Sequence, residues 1–321
     1  MITYRAWHQN EIRSVVSVVP DPQGVGSIIA LDSPVLFKHI ANFAYQGEVG
    51  LLSRTIKVQG SETSQPESDI DYGNYTSTRW VMGNYLAPNP TKNLRGFGGH
   101  IIIRGGGLGF VEGVELYRMG QTNFLGRYPM HFHLLGNGCP GCYFRDSSVH
   151  KSFYRCVSIH GTHNLTVTEN VAYDITGYCY YLEDGVEQDN TISFNLGSHI
   201  HFLGEAPYGD GQQVKAVNVQ SIDRILPADS TSSAFYITNM HNDIIGNVAS
   251  GGWAGFAFPI LREPLGPSRS TNMRPSAQLS KTIDGNTAHS TGWFWEHASG
   301  FYLGGSLFYR SDNLLVYDAG E

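Results

Sequence analysis

Arg127-Tyr-Pro-Met-His131-Phe-His133, Ile159-His160-Gly-Thr-His163 and Leu182-Glu183-Asp184-Gly-Val-Glu187 follow one another in a single stretch. His133 and His160 are 27 residues apart, and His160 and Glu183 are 23 apart. The pairs Cys156/Cys179 and His150/Tyr173 share the interval of 23. A polar group that recurs once per turn of a solenoid stacks into one site. The stretch therefore speaks to fold and chemistry together.

Short β-branched and aromatic runs alternate with Gly, Asn and Asp turns along the chain, and long helix-period patterns are absent. Examples are Ile101-Ile-Ile, Leu165-Thr-Val-Thr, Val214-Lys-Ala-Val-Asn-Val and Leu314-Leu-Val. Asn170-Val-Ala, Asn195-Leu-Gly, Asn247-Val-Ala and Asn286-Thr-Ala each follow such a run. The first two copies are 25 residues apart, and the later ones are separated by 52 and 39, which implies whole inserted rungs and long loops. A period in the low twenties with one Asn at the turn predicts an all-β chain wound as a parallel β-helix. Asn suits the turn because it tolerates the left-handed region, and stacked copies would form an amide ladder. A propeller would show blades of about 40–45 residues, and none appear. The expected organisation is one β-helix domain over 1–321, with residues 1–45 as first rungs or as the remnant of a preceding domain.

Of the 321 residues, 41% are hydrophobic, only 15% are charged and 38 are glycine. That composition fits an extended β architecture with frequent turns. The net charge of −7 argues against a nucleic-acid partner. It also gives no global attraction for a polyanionic polysaccharide, so such a ligand needs local Arg or Lys, a metal or stacking aromatics. No apolar run approaches the roughly 18 residues of a membrane span, and no signal-peptide core is present. No direct membrane insertion is expected. The chain reads either as soluble and unexported or as a piece of a longer secreted or anchored chain. Cys139-Pro-Gly-Cys142 fits a local disulfide or two free thiols, since no second CxxC accompanies it for zinc. Cys156 and Cys179 fall on adjacent rungs and read first as two small buried apolar side chains. Asn74-Tyr-Thr and Asn164-Leu-Thr would permit glycosylation of an exported chain.

Aligning Phe132, Ile159 and Leu182 as inward residues puts His133, His160 and Glu183 one position later, on the outward face. His131, Ser158 and Tyr181 fall two residues earlier on that same face. His163, Asp184 and Glu187 follow in the adjoining turns, and His199-Ile-His201 would add a further rung. The cluster has two chemical readings. His131, His133, His160 and His163 with Glu183 make a competent divalent-metal site, imidazole favouring zinc or copper and carboxylate favouring calcium or magnesium. Alternatively Glu183 or Asp184 acts as a general acid, with Glu183 and Glu187 or adjacent rungs supplying the paired carboxyls of a glycosidase. A lyase would use a base, for which His160 or Arg127 is available, and a cation to offset uronate charge. A lone strand histidine is ordinarily structural, but five histidines and three acids in register favour a site.

These residues carry a resemblance. Gly120-Gln121, Gly126-Arg-Tyr-Pro-Met-His-Phe-His133, Ser148-Val-His-Lys-Ser-Phe, Asn170-Val-Ala-Tyr-Asp and the two downstream histidine and acidic motifs are similar to the β-helix region of one family. That family comprises the cell migration-inducing hyaluronan-binding protein, cell surface hyaluronidase and fibrocystin-L. The likeness extends to Gly47-Glu-Val-Gly-Leu-Leu-Ser-Arg54, Phe97-Gly-Gly-His100, Pro227-Ala-Asp, Ala234-Phe-Tyr-Ile-Thr-Asn239 and Asn286-Thr-Ala-His-Ser, covering about 45–297. It implies a right-handed parallel β-helix in an extracellular or cell-surface setting. It also implies hyaluronan binding or depolymerisation, which is calcium-dependent in some members. No G8 module is evident, Tyr236 stands where the family tends to have Trp, and Leu261 to Leu279 shows little likeness.

The resulting expectation is an extracellular β-helix acting on a hyaluronan-like glycosaminoglycan or another uronate-containing glycan. Arg127 would orient the substrate carboxylate, and His160, Glu183 and Asp184 would carry acid, base or ligand roles. Arg145 and Arg155 are further carboxylate partners. Tyr181 is a candidate sugar-stacking residue, with Tyr178, Tyr180, Trp253, Phe256, Trp293 and Trp295 as others that serve equally as core. The competing readings are a non-catalytic glycan-binding or adhesion module with a structural metal site, and a purely structural solenoid segment.

Overall fold

A computed structural model describes residues 9–43, 46–64, 97–121, 125–201, 232–291, 299–304, 306–311 and 314–318; in the last two stretches, and at His201, only the backbone is described. Trp293, Trp295, the run from Val214 to Val219, the Pro227 motif and the Asn74 sequon lie outside the described residues. The chain winds into three parallel sheets, each built from every third strand. The first holds Ile101–Ile103, Met130–Gly136, Val157–Thr162, Tyr180–Leu182, Ser233–Tyr236, Ala254–Phe258 and Phe301–Leu303. The second holds three-residue strands, from Phe110–Glu112 to Thr282–Asp284. The third runs from Ile56–Gln59 to Thr287–His289. This is a parallel β-helix, with no α-helix among the described residues.

The register expected from the apolar spacing is the observed one. Ile159 pairs with Phe132 and Leu182, His160 with His133, and Ser158 with His131 and Tyr181. Strand alternation then sends Phe132, Ile159 and Leu182 into the core and the histidines outward. Deeper in the same sheet Tyr180, Phe235, Phe256 and Phe301 stack ring on ring at centroid separations of 4.5–4.8 Å. Tyr180, Phe235 and Phe256 are buried, each contributing about 1.5–3 kcal/mol, while Phe301 ends the stack exposed.

The asparagine ladder forms, but not for the conformational reason expected. Asn170 Nδ2 donates to Asn195 Oδ1 at 2.9 Å, Asn195 to Asn247 at 3.0 Å and Asn247 to Asn286 at 3.0 Å. The left-handed position is taken by the preceding residue: Glu169, Phe194, Gly246 and Gly285. Asn serves through its amide, which satisfies buried backbone groups of the preceding rung, as Asn195 does for Asn170 N–H and Val167 O. A second ladder, not singled out from the sequence, joins Asn190 to Asn242.

Both cysteine pairs are disulfides. The Cys156–Cys179 bond ties two adjacent rungs, which corrects the reading of two separate apolar side chains. Residues 46–54 cross the third sheet. Leu52 O accepts from Ser148 Oγ, Arg54 N–H donates to Glu115 at 3.2 Å, and Glu48 meets His289 at 3.1 Å. Val15–Pro20 and Ser27–Leu31 pair with each other as an antiparallel hairpin.

Candidate functional site

On the outward face of the first sheet, three imidazoles converge. His133 Nδ1 lies 3.3 Å from His131 Nε2 and 3.1 Å from His160 Nδ1, and all three ligand nitrogens lie within 4.8 Å of one another. The outer nitrogens are committed elsewhere. His131 Nδ1 donates to Gly126 O at 3.1 Å, because a carbonyl can only accept. His160 Nε2 donates to Asp184 Oδ2 at 2.9 Å. Each bond orients its ring: neutral His131 turns its Nε2 lone pair toward the other rings, and His160 points Nδ1 there, a lone pair that becomes free once its proton leaves, the arrangement that outer partners impose on metal-ligating histidines. A tetrahedral ion at about 2.0–2.1 Å from each nitrogen would hold its ligands about 3.3–3.4 Å apart, close to two of these separations. Glu183 Oε2 lies 3.9 Å from His131 Nε2 and 3.7 Å from His160 Nδ1, on the same side.

The electrostatics favour one positive charge here. Burial disfavours protonated His160, but Glu183 and Asp184 outweigh it and raise the imidazole to about 9. Burial lowers His131 to about 4 despite Glu183. Burial, with His160 beside it, also lowers His133. Burial would raise Glu183, yet His160, Arg155, His131 and the Ser158 hydroxyl hold it down at about 2. Glu183 is therefore a carboxylate and has no proton to donate.

Several expected roles change place. Glu187, pushed up to about 7 by burial and by Asp184, is folded into its own turn, accepting N–H bonds from Gly161, Asp184 and Gly185. It does not form a carboxyl pair with Glu183 across a surface. Arg155 is fully buried, 4.0 Å from the Tyr181 ring centroid and 4.7 Å from that of Tyr128, and donates to Tyr128 OH at 2.7 Å. It supports Glu183 from beneath and does not reach a substrate. Tyr181 lies at 1% exposure in a ring stack with Tyr178 and Tyr236. Tyr180, Trp253 and Phe256 are buried as well, so no described sugar-stacking candidate meets solvent. Arg145 lies on the second sheet, bonded to Glu112 at 2.8 Å, because its strand follows a turn that carries it to another face. His163 lies outside the triad, its Nδ1 accepting the Gln188 N–H at 3.1 Å. His199 belongs to the third sheet and stacks on Tyr173, away from the triad.

Arg127 stays exposed and donates to His100 Nε2 at 2.9 Å. His100 is held below its usual value by burial and by Arg127. Arg104, absent from the sequence-derived candidates, is the first residue after the strand Ile101–Ile103 and follows Ile103 as His133 follows Phe132, the partner of Ile103. Extending the rung alignment one turn upstream exposes it. The downstream flank is closed by the Pro259–Leu279 segment. Leu265 N–H donates to Asp184 O at 2.9 Å. Gly266, at φ +50°, comes so close that a Cβ there would stand 2.7 Å from Asp184 Oδ1. That oxygen is buried with no hydrogen-bond partner among the described residues.

A parallel β-helix with a histidine triad on one sheet, backed by buried carboxylates, defines the class of module. The chain belongs to the CEMIP beta-helix family, whose model matches residues 96–294. It is 42% identical over 315 residues to Protein rliB of Dictyostelium discoideum, covering 98% of this chain and 25% of that protein. It is 40% identical over 315 residues to a G8 domain-containing protein of Dictyostelium discoideum, covering 98% of this chain and 20% of that one. It is 32% identical over 309 residues to Fibrocystin-L of Mus musculus, covering 89% of this chain and 7% of that one. The chain thus spans a quarter or less of the length of these relatives. Among the described residues no helix is long and apolar enough to cross a membrane.

Proposed function

We propose that this β-helix is an extracellular acidic-glycan module whose histidine face holds a divalent ion, and that it depolymerises the hyaluronan-like or other uronate-containing chain it binds. The observation that carries the reading is the orientation control: Gly126 O and Asp184 Oδ2 hold the outer nitrogens of His131 and His160 and turn their inner nitrogens toward His133. His131, His133 and His160 would be the ligands, with Glu183 as the nearby carboxylate. Three imidazoles suit zinc or another transition metal better than calcium, which takes six to eight oxygens. Bound there, such an ion supplies positive charge to a uronate carboxylate.

The surrounding residues favour elimination over hydrolysis. Hydrolysis by paired carboxyls needs a protonated acid at the sugar, whereas Glu183 is ionised and Glu187 is folded into its turn. His100 is only partly buried and is held below the usual imidazole range by burial and by Arg127, so it is available as a base. Arg127 would orient the carboxylate.

The burial of Glu183 and Asp184 at 2% and 1% exposure also supports a second reading, a metal-stapled binding surface without catalysis. Elemental analysis of purified protein, with chain-length analysis of a glycosaminoglycan panel with and without chelator, separates the two. Stoichiometric metal, chelator-sensitive shortening and an absorbance rise at the unsaturated-uronate band are expected. Retention on a polymer without shortening selects the binding-only reading. Neither retention nor shortening on any acidic polymer rules out both.

A further inference from the structure

We infer that Arg104 is the anion-selecting residue of the histidine site and that, with Arg127, it receives a glycan carboxylate approaching over the upstream rungs. The inference rests on the acidic-glycan reading above and assigns the residue that enforces it. Backbone register comes first. Ile103 pairs with Phe132, so Arg104 continues the column that runs through His133 and His160. The pairing ends at Ile103, and Arg104, the next residue, opens the turn on the rung upstream of His133. Its charge is one of the influences that lower His133.

The second observation is charge balance. Arg13, Lys57, Arg145 and Lys281 each meet a carboxylate. Arg104 and Arg127 are exposed and make no carboxylate ion pair among the described residues; Lys38, Arg262, Arg269 and Arg274 make none either, and what sets the first two apart is their place beside His133 and His100 on the upstream rungs. In a chain of net charge −7, two exposed guanidiniums without such a partner beside the one partly exposed histidine of the triad form a local anion site.

The third observation is access. Downstream, Leu265 and Gly266 seal Asp184, while Leu261 and Pro275 crowd Gly185. Upstream, the turn after Arg104 is uncovered among the described residues: a Cβ at Gly105 or Gly106 would meet none of them within 4 Å. A polymer therefore reaches His133 past Arg104 and not past Asp184. The planar guanidinium matches a carboxylate through two parallel N–H bonds. A sulfate ester could supply the same charge, so the test separates the two groups.

Retention and affinity would be measured on hyaluronan, on carboxyl-reduced hyaluronan and on a sulfated polymer, for wild type, Arg104→Ala and Arg104→Lys, with metal content and thermal midpoint of each. We expect Arg104→Ala to weaken hyaluronan binding about tenfold or more while leaving metal content and midpoint unchanged, the charge-assisted bonds accounting for that loss. Arg104→Lys should recover only part. Carboxyl-reduced polymer should bind weakly and be indifferent to the substitution. Wild type and Arg104→Ala binding hyaluronan equally well would overturn the assignment alone. A tenfold loss confined to the sulfated polymer would overturn the carboxylate. A loss accompanied by lost metal would place Arg104 in the metal site instead. Wild type that binds no acidic polymer would sink the underlying reading and this assignment with it.

Discussion

Replacing Arg155 with methionine keeps much of the side-chain volume and removes a charge from the interior. Its guanidinium lies 4.0 Å, 4.7 Å and 4.8 Å from the ring centroids of Tyr181, Tyr128 and Tyr154. It donates to Tyr128 OH at 2.7 Å, and that hydroxyl donates to Glu183 Oε1 at 3.0 Å. Against burial, Glu183 is held from 4.5 down to about 2 by His160 first, then Arg155, then His131. That displacement is worth about 3 kcal/mol in all, with the Arg155 charge second to His160 among the influences that lower it. Desolvated cation–π contacts add about 2 kcal/mol and the lost charged hydrogen bond about 1.5. These contributions overlap, and a loss of about 4 kcal/mol agrees with the 3–5 kcal/mol typical of removing one partner of a buried pair. Urea denaturation of wild type, Arg155→Met, Tyr128→Phe and the double variant measures it. The double variant should lose less than the sum, since the hydroxyl links the two charges. A depressed carboxylate contributes stability above its unfolded pKa that is lost as pH falls through about 2. Without Arg155 the Glu183 pKa rises, so acid unfolding should begin at higher pH. An Arg155→Met variant within about 1 kcal/mol of wild type, with an unchanged acid limb, would refute the reasoning.

The Cys156–Cys179 bond closes a sequence separation of 23 residues; replacing both with alanine should cost about 3 kcal/mol by loop-closure entropy, and an unchanged thermal midpoint would show that the rungs are held without it. Asn195→Ala removes bonds to Asn170 N–H, Asn170 Nδ2, Asn247 Oδ1 and Val167 O. It should cost about 2–4 kcal/mol, and hydrogen exchange should quicken at Asn170 and at the rung turns on either side, or the ladder is not structural. His160 is raised to about 9, so its stabilising charge is fully present below pH 6.5 and lost as pH climbs through about 9. Binding one divalent ion at pH 7 should therefore release about one proton, read by calorimetry in two buffers of different ionisation enthalpy; no release would exclude His160 as a ligand.

The pairing of His133 with His160 was legible because strand alternation has a period of two. A slip of one residue would turn Phe132, Ile159 and Leu182 to water and the histidines into the core. The 25- and 52-residue intervals of the Asn170 ladder were legible for a related reason: an amide can bridge rungs only in strict register. The same 52-residue interval joins Asn190 to Asn242, so that second ladder was equally available. What local pattern could not show is which outward residues meet water. The outward column through His131, Ser158 and Tyr181 is sealed by rings from its own and neighbouring rungs, which turns Arg155 and Tyr181 from surface candidates into supports.

Burial of the acids has a more distant cause. Asp184 is covered by Gly266, and Gly185 by Pro275, about 80–90 residues further along. No periodicity in the rungs predicts where such an insertion folds back. Rungs thus set the positions of ligating and charged groups, and insertions set which of them a ligand reaches. The same separation explains why Arg104 escaped notice. It lies on a rung of plain isoleucines, Ile101-Ile-Ile, and its significance comes from the histidine beside it on the next turn. A polar residue on an apolar strand gains chemical meaning in a solenoid only when its neighbours one turn either way are read with it.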